Sequence, residues 1–546
     1  MLGFFVMDLS AFRGLRRRKG VQIVGKYLNV GNAGFASAVK GIYVDKSEMI
    51  SYINSTLGTA DKLTCVSRPR RFGKSFAAKM LCAYYDKSCD SRALFEGLNI
   101  SHNAFFEKYL NKYNVIYLDI TLFISKALNV QNIVDDISNA VIEELQQAYP
   151  HVLKDITLAD MLYNVTKETG EKFIMIIDEW DALFREVQAD VTLQKQYIDL
   201  LRSLFKSSWT DDIFEAAYMT GILPIKKYGN QSAMSDFREY TMLTPKKLAN
   251  YVGFTEEEVK KLCEQYEMDF EEMKRWYDGY SFSRLNSVYS PNSVMEAVKS
   301  EEFGSYWTRT ETYEALKVYI DLDMDGLKEA IIQMLGGEKV RIMTGSFQND
   351  MTSIKCKDDV LTLMVHLGYL AYDSKEKVVY IPNEEVREEF VLAVTKGRHT
   401  ELARLIQNSD RLLEQTLSMD ERAVERAIEE AHKIVSSPLS YNKEDSLRST
   451  IRFAYITYLD EFIEIDEFPS GTGYADMVFM PKQGSTRPVI VFELKWNKSS
   501  ESAIRQIKNR DYPHAFKDYG GDVYLVGISY DEDTKKHTCK IERHIK

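Results

Sequence analysis

At 546 residues the chain exceeds what one hydrophobic core supports and divides into about three or four domains. Apolar residues make up 45% and charged residues 28% of it, the balance of a soluble globular protein rather than of a disordered or membrane-embedded one. A formal net charge of −11 excludes a generalised nucleic-acid coat, so any such contact is confined to a local groove.

Residues 1–24 read as an extension. Its apolar start, Leu2 to Met7, is too short for a membrane span and lacks the preceding positive charge of a secretory signal. No later run is long enough to span a bilayer, and the expected location is the cytoplasm, without membrane contact. Arg13, Arg16, Arg17, Arg18 and Lys19 form a basic cluster that reads either as a solvated tail or as a phosphate contact. The six cysteines and eight histidines show no metal-ligand spacing, so reduced thiols and no zinc site are expected.

From Tyr27 the chain leads into a sheet. The apolar run Leu63-Thr64-Cys65-Val66 precedes Arg68-Pro69-Arg70-Arg71-Phe72-Gly73-Lys74-Ser75, and a helical stretch opens at Phe76. Strand, loop, helix is the order of a nucleotide phosphate cradle. Backbone N–H groups at a helix N-terminus favour phosphate oxygens, Lys74 neutralises β/γ charge, Gly73 lets the backbone approach, and the Ser75 hydroxyl ligates magnesium. Arg68 stands where a standard P-loop has its first glycine, which predicts a tighter, more basic loop. Gly-Lys-Ser triplets are common in ordinary turns; the position after a strand and before a helix is what points to ATP.

Val115 to Ile120, Phe173 to Ile177 and Ala216 to Gly221 are short apolar runs separated by helical-period stretches, as in a parallel α/β sheet. The Phe173 run ends in Asp178-Glu179, at the strand end where such sheets place ligands. There Asp178 holds magnesium through water and Glu179 polarises the attacking water of ATP hydrolysis. The competing reading makes Asp178 a helix cap and Glu179 a favourable dipole charge. Thr220 is either a γ-phosphate sensor or part of an ordinary Thr-Gly turn. Arg202 is either an arginine finger or a solvated helix arginine.

Thr255-Glu256-Glu257-Glu258 resembles a capped helix start. Trp276 to Phe282 reads as a turn beside a packed core. The apolar helix Val360 to Leu367, two strands around Asp373 to Lys377 and a further helix form a winged-helix-like pattern, which serves either DNA contact or packing. An amphipathic acidic helix from about Leu412 to His432 ends near Ser436-Ser437-Pro438, a domain boundary signal.

Beyond it, Tyr474 to Met480 and Pro488 to Trp496 read as adjacent strands. Side chains alternate along a strand, so Glu493 and Lys495 share one face. Asp476 and Glu493 form a magnesium-binding carboxylate pair, with Lys495 orienting the attacking water and offsetting charge on a phosphodiester. A buried strand carrying an ion pair accounts for the same residues. Glu444 opens a helix, as a further carboxylate or as a cap, and Gln506 follows on a second helix. Lys498, Arg505, Lys508 and Arg510 read as phosphate contacts or as a basic surface.

Tyr43-Val44-Asp45-Lys46, Arg68 to Ser75, Ile177-Asp178-Glu179-Trp180, Thr220 to Pro224, Tyr277-Asp278-Gly279-Tyr280, Gly473 to Asp476 and Glu493 to Trp496 together resemble the bacterial AAA-ATPase-like proteins that carry a C-terminal PD-(D/E)XK nuclease-like domain. The resemblance runs from about Tyr27 to Glu542, and Arg68 in place of the glycine belongs to its pattern. It implies an α/β chain: an N-terminal P-loop ATPase with a parallel sheet, a central helical and winged-helix-like region, and a C-terminal restriction-endonuclease-like α/β domain. The expected boundaries are 1–24 extension, 25–243 ATPase core, 244–400 helical and winged-helix-like region, 401–437 helical linker and 438–546 nuclease-like domain. The nucleotide-site candidates are Arg68, Arg70, Arg71, Phe72, Gly73, Lys74, Ser75, Phe76, Asp178 and Thr220 for ATP, Ser75 and Asp178 for Mg2+, and Glu179 for catalysis. The nuclease candidates are Glu444, Asp476, Glu493, Lys495 and Gln506, with Mg2+ on Asp476 and Glu493. The implied function is ATP turnover coupled to cleavage of nucleic acid, DNA before RNA, in a monomer or a homo-oligomer. The alternative is a nucleotide-dependent switch or scaffold whose nuclease-like domain binds without cleaving. Defence or mobile-element handling follows only from domain company.

Overall fold

The computed structural model describes residues 25–544 except 155–156, 188–189, 226, 229–230, 233, 283–284, 308–315, 317, 323, 325, 350–353, 396–399, 436–443, 458–460, 471–472, 483–484, 511–515 and 517–520. The basic cluster of the N-terminal extension and the Ser436-Ser437-Pro438 boundary lie outside the described residues. The chain separates into two compact units, one ending at Phe254 and the other starting at Thr255, with a short stretch around Asn349 belonging to the first.

In the first unit β1 (Leu63–Ser67), β2 (Asn114–Asp119), β3 (Phe173–Asp178), β4 (Phe214–Gly221) and β5 (Arg238–Tyr240) form one parallel sheet in the order β2-β3-β4-β1-β5. β1 and β3 are buried at every residue, which is why they read as unbroken apolar runs rather than alternating ones. Met175 and Ile177 pack with Ile137, Val141 and Leu145 of the helix Ile133–Ala148 and with Leu201 and Leu204 of the helix Val191–Phe205. β5 is short and begins with the charged pair Arg238-Glu239, so apolar periodicity gives no sign of it. The register pairs Asp119 with Asp178, Asp178 with Thr220 and Ser67 with Gly221. Four strand ends are thereby aligned along one edge of the sheet.

The second unit opens on a capped helix, Glu256–Tyr266, in which Thr255 and Glu258 exchange side-chain and backbone hydrogen bonds as a capping box. The Tyr277-Asp278-Gly279-Tyr280 turn is structural. Tyr277 and Tyr280 donate to the carbonyls of Gly304 and Gly368, Ser287 donates to Asp278 Oδ2, and Asn383 donates to the Asp278 carbonyl. The helix Lys357–Leu367, the antiparallel pair Ala371–Asp373 and Val378–Tyr380, and the helix Glu384–Thr395 follow in the predicted order. Val340–Arg341 adds a third strand beside Val378–Tyr380.

Glu385 lies in this region with no exposed surface. Its Oε1 accepts the Tyr306 N–H at 2.8 Å, and its Oε2 is buried without a partner among the described residues. Burial pushes its carboxyl up to about 8, aided by the neighbouring Glu389. The folded chain therefore holds a proton here that the unfolded chain loses near the ordinary glutamate value, so stability is full at acid pH and falls as pH rises. The expected loss is up to about 1.4 kcal/mol per pH unit between about pH 5 and about pH 8. Glu385→Gln should flatten this slope in urea unfolding across the same range; an unchanged slope would refute the assignment.

The C-terminal sheet comprises β6 (Phe462–Ser470), β7 (Gly473–Pro481), β8 (Val489–Trp496), β9 (Val523–Asp531) and β10 (Lys536–His544) in that order, with β8 and β9 parallel and the other neighbours antiparallel. Period-two alternation divides β8 between two cores. Ile490, Phe492 and Leu494 pack with Leu447 and Ile451 of the helix Glu444–Ala454, whereas Val489 and Val491 pack with Ile504 and Ile507 of the helix Ser500–Asn509. Glu493 and Lys495 continue the second set. Gly527 pairs with Glu493 across β8 and β9, and a Cβ there would stand 2.5 Å from the Ser500 carbonyl oxygen and 2.9 Å from Ala503 Cβ. Its missing side chain lets the Ser500–Asn509 helix approach the sheet closely enough for Gln506 to reach Glu493.

Candidate nucleotide and nuclease sites

β1 delivers the loop Arg68 to Gly73 onto α1 (Lys74–Tyr85). Gly73 has φ 89°, and an added Cβ would meet nothing within 4 Å; glycine is required by the backbone, and the space over the loop stays open to an oxygen ligand. Lys74, 4% exposed, donates from Nζ to the Pro69 carbonyl at 2.9 Å and lies 3.5 Å from Glu179 Oε1. The Ser75 side chain hydrogen-bonds Asp178, and Tyr117 OH donates to Asp178 Oδ2 at 3.2 Å. Burial raises the Asp178 carboxyl to about 6, with Ser75 opposing it. Glu179 occupies φ 51°, an uncommon conformation for a side-chain-bearing residue and one that marks functional turns. Against the upward push of burial, Lys74 and then Arg185 hold its carboxyl below the usual range.

Gly73, Lys74, Ser75, Asp178 and Glu179 are thus brought together, with Arg70 and Arg71 exposed on the same loop. The other candidates are placed otherwise. Arg68 has no exposure, and its Nη1 donates to the Ser67 and Tyr240 carbonyls at 2.8 and 3.0 Å. Its guanidinium staples β1 to β5 instead of facing the open side of the loop. Thr220 is buried and donates its hydroxyl to the Val66 carbonyl at 3.0 Å, so it bonds the sheet and not an open site. Phe72 is buried, while Phe76 is 57% exposed on the first turn of α1. Arg202 is a half-exposed helix residue 3.4 Å from Asp199.

Two residues escaped sequence reasoning. Arg185 lies 2.5 Å from Glu179 Oε2 and 3.0 Å from Asp181 Oδ2. Asp181, wholly buried, accepts the N–H groups of Ile222 and Leu223, tying the turn after β3 to the end of β4. Their spacing of four residues on a helical turn was the available signal. The open loop, the helix N-terminus and Lys74 fit a nucleotide's phosphates, and the oxygens of Ser75 and Asp178 fit Mg2+.

In the second site, the strand pairing ends at Met477 and Phe492, and Asp476, the next residue, is close enough to Glu493 for its charge to act on it. Asp476 Oδ2 accepts the Leu494 N–H at 2.7 Å. Lys495 Nζ donates to Glu493 Oε1 at 2.8 Å and to the Leu494 carbonyl at 2.9 Å, and Gln506 Nε2 also donates to Glu493 Oε1. Burial, then the charge of Asp476, pushes the Glu493 carboxyl up to about 7. Glu493 Oε2 is buried with no partner among the described residues. Such an oxygen is costly unless something binds it. With Asp476 it offers hard oxygen donors of the kind magnesium takes. Among the described residues no three His, Cys, Asp or Glu side chains gather as a fuller metal cage. Glu444 opens its helix, and its side chain lies outside the described residues. Lys508 pairs with Glu542 at 2.5 Å, while Lys498, Arg505 and Arg510 are exposed. Sequence reasoning also missed Arg448, 3.9 Å from Asp476 Oδ1.

The fold comprises a parallel α/β sheet with a P-loop-type strand, loop and helix, and a separate α/β sheet that carries Asp476 and Glu493. Residues 36–229 match the family described as "Predicted AAA-ATPase", and residues 443–540 match the PD-(D/E)XK nuclease superfamily. The chain therefore carries an AAA-ATPase-like domain and, toward its C-terminus, a PD-(D/E)XK nuclease superfamily domain. No curated protein matches it. Among solved structures it is similar to the Aeropyrum pernix ORC2 protein in ADPNP–ADP complexes, at 12% identity, over 64% of this chain and 90% of that one, with a TM-score of 0.29. It is also similar to AMPPCP-bound DnaA from Aquifex aeolicus, at 11% identity over 55% and 81%, TM-score 0.23. A DNA replication initiation factor gives 11% identity over 55% and 72%, TM-score 0.23. No helix among the described residues is long and apolar enough to cross a membrane.

Proposed function

We propose that this chain is an ATP-hydrolysing, magnesium-dependent nuclease of the cytoplasm, in which nucleotide turnover at the Lys74 site controls cleavage of nucleic acid, DNA before RNA, at the Glu493 site. In this reading residues 25–243 form the ATPase core and 438–546 the nuclease domain. The observation that carries it is the buried, unpartnered Oε2 of Glu493 beside Asp476. A strand that merely buried an ion pair would satisfy both oxygens.

When bound to Asp476 and Glu493, magnesium supplies charge neutralisation and a polarised water. Gln506 and Lys495 both hold Glu493 Oε1, so Oε2 is the oxygen that would hold the cation. The ammonium of Lys495, held on Glu493 Oε1, would offset charge accumulating on a phosphodiester. At the other site, Lys74 exchanges the Pro69 carbonyl for a phosphate oxygen on nucleotide binding. The same movement draws the ammonium off Glu179 Oε1, which then accepts a proton from the attacking water, while Arg185 keeps hold of the other oxygen.

The test is phosphate release and strand cleavage by the full chain with Mg2+ or Mn2+, on single- and double-stranded DNA and RNA. Glu179→Gln is expected to lower phosphate release by roughly a hundredfold or more while ATP still binds. Cleavage of none of these substrates under any metal would sink the nuclease reading in favour of a nucleotide-dependent scaffold.

A further inference from the structure

Arg448 projects from the helix Glu444–Ala454, whose buried Leu447 and Ile451 fix its rotation against the sheet. The guanidinium is only 21% exposed, its Nη2 stands 3.9 Å from Asp476 Oδ1, and its Nε is buried with no partner among the described residues. At that separation the contact is an electrostatic pair and not a hydrogen bond. Asp476 Oδ2 is already taken by the Leu494 N–H, so Arg448 faces the carboxylate oxygen that is open to a cation. One turn further along the same helix, Arg452 is bound by both Glu464, at 2.6 Å, and Asp466. A fully bonded arginine is therefore feasible on this helix, and Arg448 is left with only the 3.9 Å contact to Asp476 among the described residues.

The geometry points to Arg448 as the clamp for a non-bridging oxygen of the substrate phosphodiester, exchanging its loose contact with Asp476 for the phosphate once that carboxylate is engaged by a divalent cation. A planar fork of N–H donors suits two phosphate oxygens, and a phosphate would satisfy the stranded Nε. The proposal rests on the nuclease reading. It adds a substrate-binding residue and a consequence for the metal, because a positive charge beside Asp476 opposes cation binding until substrate draws it away.

The experiment uses the full chain and two ligands: Mn2+ alone, and a short phosphorothioate DNA duplex in Ca2+. Arg448→Gln is expected to tighten Mn2+ binding by about three- to tenfold, since the opposing charge is gone, and to weaken duplex binding by about tenfold or more. Arg448→Lys keeps the charge but loses the fork, so Mn2+ affinity should stay within about twofold of wild type while duplex binding still falls severalfold. Duplex affinity unchanged in Arg448→Gln, or Mn2+ binding weakened by it, overturns the proposal in favour of a structural counter-ion. Wild-type Mn2+ binding that is indifferent to Asp476→Asn refutes the metal-site reading itself, and the clamp with it.

Discussion

Lys74→Ala is expected to weaken ATP binding by on the order of a hundredfold, roughly 3 kcal/mol, as read by titration with a fluorescent ATP analogue. The buried ammonium folds inward against the Pro69 carbonyl and Glu179, and a phosphate offers it a stronger, charge-assisted partner. The loss should be confined to binding, because Glu179 retains Arg185 at 2.5 Å and is not left as an unpaired buried charge. A melting midpoint close to wild type would accompany the binding defect. ATP affinity unaltered in Lys74→Ala would mean that the loop does not cradle phosphate.

Glu493→Gln is expected to abolish strand cleavage, by on the order of a thousandfold or more, while leaving ATP binding and phosphate release untouched. The amide preserves shape but removes the anionic oxygen that has no partner among the described residues. The fold should tolerate the change, since burial already disfavours the charged carboxylate and Gln506 can still bond the remaining oxygen. Asp476→Asn should behave alike. Loss of ATP binding in Glu493→Gln comparable to its loss of cleavage would contradict two separate sites.

Much of the framework was legible because it is written locally. The runs around Val66, Ile116, Ile176 and Met219 were apolar enough to read as covered parallel strands, and all four join one sheet. The capping box at Thr255 and Glu258 needs only neighbouring residues, and it formed as its spacing indicated. Arg68 was misread for the opposite reason. A charged residue in a basic, glycine-containing loop suggests phosphate, whereas its environment is set by β5, which arrives far along the chain and places the Tyr240 carbonyl over it. Thr220 likewise ends a strand as predicted, yet its hydroxyl is claimed by Val66 of a strand it meets only in the folded sheet.

By itself the amino-acid order determined which segments become buried strands and which residue types stand at their ends: Gly73-Lys74-Ser75, Asp178-Glu179, and Glu493 with Lys495 two positions on. These follow from side-chain periodicity and short-range backbone preference, which act over a few residues. Only the tertiary structure decided that Arg185 and Asp181 brace Glu179, that Gln506 reaches Glu493 across the gap left by Gly527, and that Arg448 stands beside Asp476. Each of those contacts depends on how distant segments pack, and burial then decides whether a charge is bonded, stranded or shifted in its proton affinity.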